Sequence, residues 1–167
     1  MKLNRIITLM VFASGSIMAA ETVEHTITVT AQIPSENFYV TPVGDWMSST
    51  QKLQFNPNTQ KLDTLSRQME VKSTIGPIKG YLLYKPALSR VNGNEEIGLT
   101  VNFAGVALTT ESQDLLTLAN VQNGKKVGFE VIPDAAPNNG YKAGSYQGVI
   151  NMVFESEAPP APPAPQE

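Results

Sequence analysis

The sequence predicts an all-β sandwich or barrel. Seven or eight short stretches rich in Val, Ile, Leu, Thr, Tyr and Phe are separated by turn residues. Their apolar positions recur with period two, as side chains do when they alternate across a strand. The dipeptides Asn92-Gly93, Asn123-Gly124 and Asn139-Gly140 supply the turns.

The first segment is not part of that pattern. Met1-Lys2-Leu3-Asn4-Arg5 is a positive start, Ile6 to Ala13 is mostly apolar, and Met18-Ala19-Ala20 offers small residues for cleavage. This is the order of a secretory signal peptide, assigned to residues 1–20, and its apolar run is too short to span a bilayer. Once Lys2 and Arg5 are removed, ten basic side chains face fifteen acidic ones. The mature chain is expected to be exported and soluble.

Val23 to Ile33 alternates cleanly. Val23, His25, Ile27, Val29, Ala31 and Ile33 share one face; Glu24, Thr26, Thr28, Thr30 and Gln32 share the other. Pro34 ends the run, because proline cannot donate to a ladder. The next strands are expected at Asn37–Val43, Gln51–Phe55 and Leu65–Ser73, the last with weak alternation. Asn56-Pro57-Asn58 is a turn. Ile78–Tyr84 and Ile97–Leu108 follow, the latter with a turn or bulge at Gly105. Lys126–Ile132 and Tyr146–Phe154 complete the set. Ser112–Ala119 is the one helical candidate, a short turn. Residues 158–167 hold five of the twelve prolines and read as an extended polyproline-type tail, either a surface tail or a spacer or Pro-rich ligand.

Composition excludes several functions. There is no cysteine, so there is no disulfide framework and no Cys-based metal site. The net charge of −3 gives no electrostatic footprint for nucleic acid. The only histidine, His25, lies near the mature N-terminus, a poor place for the fixed imidazole of a triad. Glu95 and Glu96 point to opposite faces of an extended chain and form no carboxylate pair. Asn92 to Glu96 lacks calcium-loop spacing and reads as a hairpin turn. Phosphate loops and HExxH motifs are absent. No catalytic, cofactor or metal site is expected, and the protein is expected not to be an enzyme.

Two segments go beyond a general β pattern. Val23-Glu24-His25-Thr26-Ile27-Thr28-Val29-Thr30-Ala31 resembles the mature N-terminus of fimbrial major subunits of the colonisation-factor-antigen type, the alternate chaperone–usher or α-fimbrial pilins. Ala143-Gly144-Ser145-Tyr146-Gln147-Gly148-Val149-Ile150-Asn151-Met152-Val153-Phe154 resembles that family's last strand, with its A-G-x-Y-x-G-x-V pattern. Lys52 to Pro57 and Ile97 to Phe103 fall between them in the expected order. The resemblance covers residues 23 to 156.

The resemblance implies an immunoglobulin-like sandwich that lacks its final strand. The N-terminal extension of the next subunit, residues 21–34 here, would fill the open groove of the domain at 35–157. The implied partners are identical subunits, a periplasmic chaperone, an outer-membrane usher and a tip adhesin. The implied destination is a fimbrium on the surface of a Gram-negative cell, where it mediates attachment. Val23, His25, Ile27, Val29, Ala31 and Ile33 would be the donor face and Pro34 the hinge. Phe38 and Val40 would line one groove edge; Tyr146, Val149, Asn151 and Val153 the other. His25 is then a tolerated residue at the groove mouth or a protonation-sensitive contact. Two features depart from the family: Pro34 follows Ile33 with no acidic residue between, and the Pro-rich tail has no counterpart.

The residues alone support a donor strand. Burying the five apolar side chains contributes about 7–13 kcal/mol before entropy costs, comparable to the stability of a whole domain. A one-residue slip would present threonines instead, so the pattern fixes the register. The same alternation also suits the first strand of a complete sandwich. The competing expectation is therefore a monomeric secreted or periplasmic β-sandwich binding module.

Overall fold

The computed structural model describes residues 37–158. The expected strand at 23–33 and the tail beyond residue 158 lie outside them. Chain order runs β1 (Phe38–Pro42), a 3₁₀ turn (Trp46–Ser48), β2 (Phe55–Asn56), β3 (Lys61–Leu62), β4 (Leu65–Ser73) and β5 (Ile78–Leu82). It continues with β6 (Ala87–Arg90), β7 (Glu96–Phe103), β8 (Val106–Ala107), β9 (Gln113–Leu116) and α1 (Leu118–Val121). It ends with β10 (Lys125–Pro133), β11 (Tyr146–Gln147) and β12 (Met152–Ser156).

These strands form an immunoglobulin-like sandwich. The larger sheet has the order β1-β4-β10-β7-β6-β11, with β8 paired to β7. The smaller has the order β12-β5-β9, and β2 and β3 form a separate hairpin. Every ladder is antiparallel.

Period-two alternation drives the packing. β7 buries Ile97, Leu99, Val101 and Phe103 and turns the residues between them outward. β10 buries Val127, Phe129 and Val131, and β4 buries Met69, Val71 and Ser73. Ile78, Leu82 and Leu115 meet them from the smaller sheet in one continuous core. The single tryptophan, Trp46, lies half-buried with its ring stacked on Phe129 at 5.4 Å.

Three local expectations need revision, and the turn expected at Gly105 is present. Ser112–Ala119 is not helical. Gln113–Leu116 pairs with the outer edge of β5, Leu115 is buried, and the helical turn is displaced to Leu118–Val121. The demand of β5 for a second ladder overrides the local sequence. The Gln51–Phe55 candidate makes a ladder only from Phe55, beyond which Asn56 Oδ1 accepts from Asn58 N and Thr59 N at 3.0 and 3.2 Å. Ile97–Leu108 folds back at the turn expected at Gly105, into β7 and β8. Ala104 and Gly105 take φ of 53° and 84°, both positive as a primed two-residue hairpin requires. Tyr146–Phe154 is not one strand: it divides into β11 and β12, which lie in different sheets.

Candidate functional site

The candidate site lies at β1 and β12, each a terminal strand of its sheet among the described residues. β12 pairs with β5 from Met152↔Leu82 to Ser156↔Ile78. Among the described residues, no ladder forms on its other edge. β1 pairs with β4 from Phe38↔Ser73 to Pro42↔Met69. β7 and β10 alternate buried residues with exposed or half-buried ones, whereas all five residues of β1 and all five of β12 are half-buried. Strands at the end of a sheet have a neighbour on one side only, which leaves their inward side chains partly covered by the rest of the ladder.

Phe38 and Val40 on β1 pack against the core, as do Ile150, Met152 and Phe154 at the chain's end. The Phe154 ring lies 4.6 Å from the fully buried ring of Phe103, tilted by 44°. It reaches that position by crossing Gly80, its ladder partner. A Cβ on Gly80 would stand 2.9 Å from Phe154 Cδ1 and 2.7 Å from Leu115 Cδ1. The glycine makes the room for the ring.

One end of the site is tied. The hydroxyls of Ser73 and Ser156 lie 2.7 Å apart, and Ser156 Oγ donates to Gly76 O at 3.1 Å. The backbone N–H groups of Ile75 and Gly76 donate to Ser73 Oγ, each at 3.2 Å. Ser73 is the buried polar residue of the core, and these bonds satisfy it.

The expected residues are distributed unevenly around the site. Phe38 and Val40 lie on β1 with their side chains packed against the core. Val153 lies on β12 but in the outward phase, opposite Tyr81. Asn151 precedes β12 and its Nδ2 donates to Tyr84 OH. Val149 is 65% exposed. Tyr146 belongs to the other sheet, on β11, paired to Arg90, and its OH donates to Lys142 O at 3.0 Å. The donor face Val23, His25, Ile27, Val29, Ala31 and Ile33, and the hinge Pro34, lie outside the described residues. Met152 and Phe154 carry the inward phase. The sequence holds the signal for this: Ile150, Met152 and Phe154 are all apolar, whereas the alternate phase is interrupted by Asn151.

The glycines of the Ala143–Val149 segment explain why the chain changes sheets. A Cβ on Gly148 would meet Ala87 O at 2.2 Å, and one on Gly144 would meet Arg90 Nε at 2.5 Å. Both glycines press the segment onto β6 before it crosses to β12. An ion cluster fastens it there. Arg90 Nη1 donates to Glu95 Oε2 at 3.1 Å, Lys142 Nζ to Glu95 Oε1 at 2.5 Å, and Arg90 Nη2 to Ala143 O at 2.8 Å. Hydrogen bonds from Lys142 first, and Arg90 next, hold the Glu95 carboxyl down at about 2. Burial, then the charge of Asp134, raises the Tyr141 phenol, which donates to Asp134 O at 2.5 Å. An open cavity of about 940 Å³ lies beside this segment, bordered by Phe55, Leu88, Tyr141 and Tyr146.

The antiparallel immunoglobulin-like sandwich, with β12 at the end of its sheet among the described residues, fits the class of fimbrial structural subunits. The sequence model of the CS1 type fimbrial major subunit matches residues 23–155, and the chain belongs to that family. The structure of the CooA pilin subunit from enterotoxigenic Escherichia coli superposes with a TM-score of 0.52 at 20% identity. The match covers 62% of this chain and 75% of that one, and shows a shared fold. No curated protein sequence matches the chain.

Proposed function

We propose that this subunit polymerises by donor-strand complementation into the shaft of an adhesive fimbria. Residues 21–33 of one copy lie along the free edge of β12 in the next, with Val23, Ile27, Val29, Ala31 and Ile33 inserted between Phe38 and Val40 on one side and Met152 and Phe154 on the other. The single observation that carries this reading is the outer edge of β12. It is a terminal strand with no ladder on that side among the described residues, and it overlies a half-covered core. Such an edge seeks a strand. The antiparallel direction continues the rule that every ladder in the domain obeys. Before assembly, a periplasmic chaperone strand covers the same edge; an outer-membrane usher exchanges it, and a tip adhesin ends the shaft. Attachment to host cells or surfaces is then a property of the fibre.

A graft tests this. Residues 21–33 are moved from the N-terminus to follow Ala158 through a flexible linker, and compared with a chain lacking them altogether. The expected result is a stable monomer from the graft and an unstable or aggregating truncated chain. A truncated chain that is already a stable monomer, unchanged by the graft, would overturn the proposal in favour of a complete sandwich that acts as a binding module.

A further inference from the structure

The outward phase of the smaller sheet, Lys79, Tyr81, Val153 and Glu155, is half-buried, and exposed apolar side chains gather at one end of it. Val153 stands opposite Tyr81, and one step further Leu83 N donates to Asn151 O at 3.1 Å. Leu83, Tyr84 and Val149 are 57%, 46% and 65% exposed. Toward the other end the same face carries Lys79 and Glu155. The opposite pole of the domain, at the β4–β5 turn, holds a further exposed apolar side chain, Ile75, at 39%. The chain enters the domain at that pole. Thr74 N donates to Asn37 O at 2.8 Å, and Thr74 Oγ1 donates to Asn37 Oδ1 at 3.1 Å.

We propose that the Leu83–Tyr84–Val149 patch docks the Ile75 pole of a neighbouring copy, as a second contact beside the donor strand. The proposal rests on the donor-strand reading above, and chain length selects the occupant. The donor strand ends at Ile33 and β1 begins at Phe38, so five residue steps join them, at most about 18 Å when fully extended. An antiparallel donor strand brings its Ile33 beside Met152 of the acceptor. The donor's Asn37, and the Thr74–Ile75 turn bonded to it, are thereby tethered at the end of the acceptor where Leu83, Tyr84 and Val149 are exposed. Charge agrees. Exposed Lys85 flanks the acceptor patch, and exposed Glu157 flanks the donor pole, where its carbonyl lies against Gly76.

The two surfaces differ and lie at opposite ends of β5, about 17 Å apart along that strand. Their contact is head-to-tail, and such a contact propagates without closing on itself. It also accounts for Val149, Asn151 and Val153, which fit no inward-facing groove wall: they belong to the surface beside the groove's exit.

The test uses polymers assembled from the mature chain, residues 21–167. Leu83→Asp changes an exposed side chain and is expected to leave the melting temperature unaltered while polymers shed subunits about tenfold faster. Adding Ile75→Lys to the same chain places opposite charges across each head-to-tail contact and is expected to restore most of the lost persistence. A general effect of an added carboxylate would not be rescued from the far pole. A synthetic peptide of residues 21–33, added in excess, separates the two readings. If it dissolves the polymers while Leu83→Asp sheds subunits at the parental rate, the docking patch is overturned and the donor strand stands. The same holds if Ile75→Lys gives no rescue. If the peptide does not bind even the chain lacking residues 21–33, whose groove would be empty, the donor-strand reading falls and the patch with it.

Discussion

Gly80→Ala is the sharpest probe of how the site is built. The new methyl would stand 2.7 Å from Leu115 Cδ1, and 2.9 and 3.1 Å from Phe154 Cδ1 and Cε1. Both contacts lie below ordinary van der Waals distance, so at least one side chain must move. Leu115 is 8% exposed and belongs to the core, and the Phe154 ring is backed by Phe103. The ring's easier route is outward, away from Phe103. Overpacking of this kind costs about 1–3 kcal/mol. Removing glycine's freedom in the unfolded chain offsets about 0.4–1 kcal/mol. The expected net loss is about 0–2.6 kcal/mol, centred on about 1.3, and a midpoint lower by up to roughly 10 °C for a domain of this size. Urea or thermal unfolding followed by Trp46 fluorescence reads it directly, since this is the only tryptophan and it stacks on core Phe129. Adding Phe154→Leu should relieve the clash, with a coupling of at least about 0.5 kcal/mol in the double-mutant cycle. A neutral or stabilising Gly80→Ala, additive with Phe154→Leu, would refute the packing of Phe154 over Gly80.

Three further outcomes follow from the same geometry. Ser73→Ala leaves the Ile75 and Gly76 N–H groups without their acceptor and should cost about 1–3 kcal/mol, with faster amide exchange at those two residues as the local sign. Gly148→Ala sets a methyl against the Ala87 carbonyl, a backbone atom with no rotamer to change, and should destabilise by about 1–3 kcal/mol in urea titration. Glu95 is held at about 2 in the folded chain against an ordinary value of 4.5. Its contribution is therefore complete above about 4.5 and is lost as pH falls toward about 2, because in that window the unfolded chain binds the extra proton. Melting curves from pH 6 to pH 2 should show a shallower acid dependence for Glu95→Gln than for the parent; parallel curves would contradict the ion cluster.

Much of the fold was legible in the sequence because one physical signal dominates it. Ile97-Gly98-Leu99-Thr100-Val101-Asn102-Phe103 alternates without error, and β7 buries one phase of it completely. Where that signal weakened, reading failed. Leu65 to Ser73 looks marginal because only its second half faces the core, yet β4 lies between β1 and β10 in the larger sheet. Gln113–Leu116 is too short to declare itself, and only the free edge of β5 makes it a strand. The Tyr146–Phe154 segment misled in a different way. Both of its phases contain apolar residues, Ile150, Met152 and Phe154 in one and Val149 and Val153 in the other, and its division at Gly148 depends on a close approach to Ala87 that no local pattern encodes. The ion cluster was invisible for the same reason: Arg90, Glu95 and Lys142 are brought together by a hairpin and a sheet crossing.

The absence of cysteine gives the half-covered site its thermodynamic meaning. An exported domain commonly gains stability from disulfides; this chain holds none. Its core is complete under β7 and β10 but only half-covered under β1 and β12. On the proposed assembly, the missing stabilisation is supplied by a neighbour's strand, and its size is comparable to that of the domain's own fold. Completion of the fold and growth of the fibre are then linked equilibria, each favouring the other. On that assembly, a subunit released from the fibre would lose its donor strand and expose the edge of β12 together, so release would be opposed by the cost of uncovering the core. Persistence of the shaft would follow from the same apolar burial that folds the domain, without a covalent link between subunits.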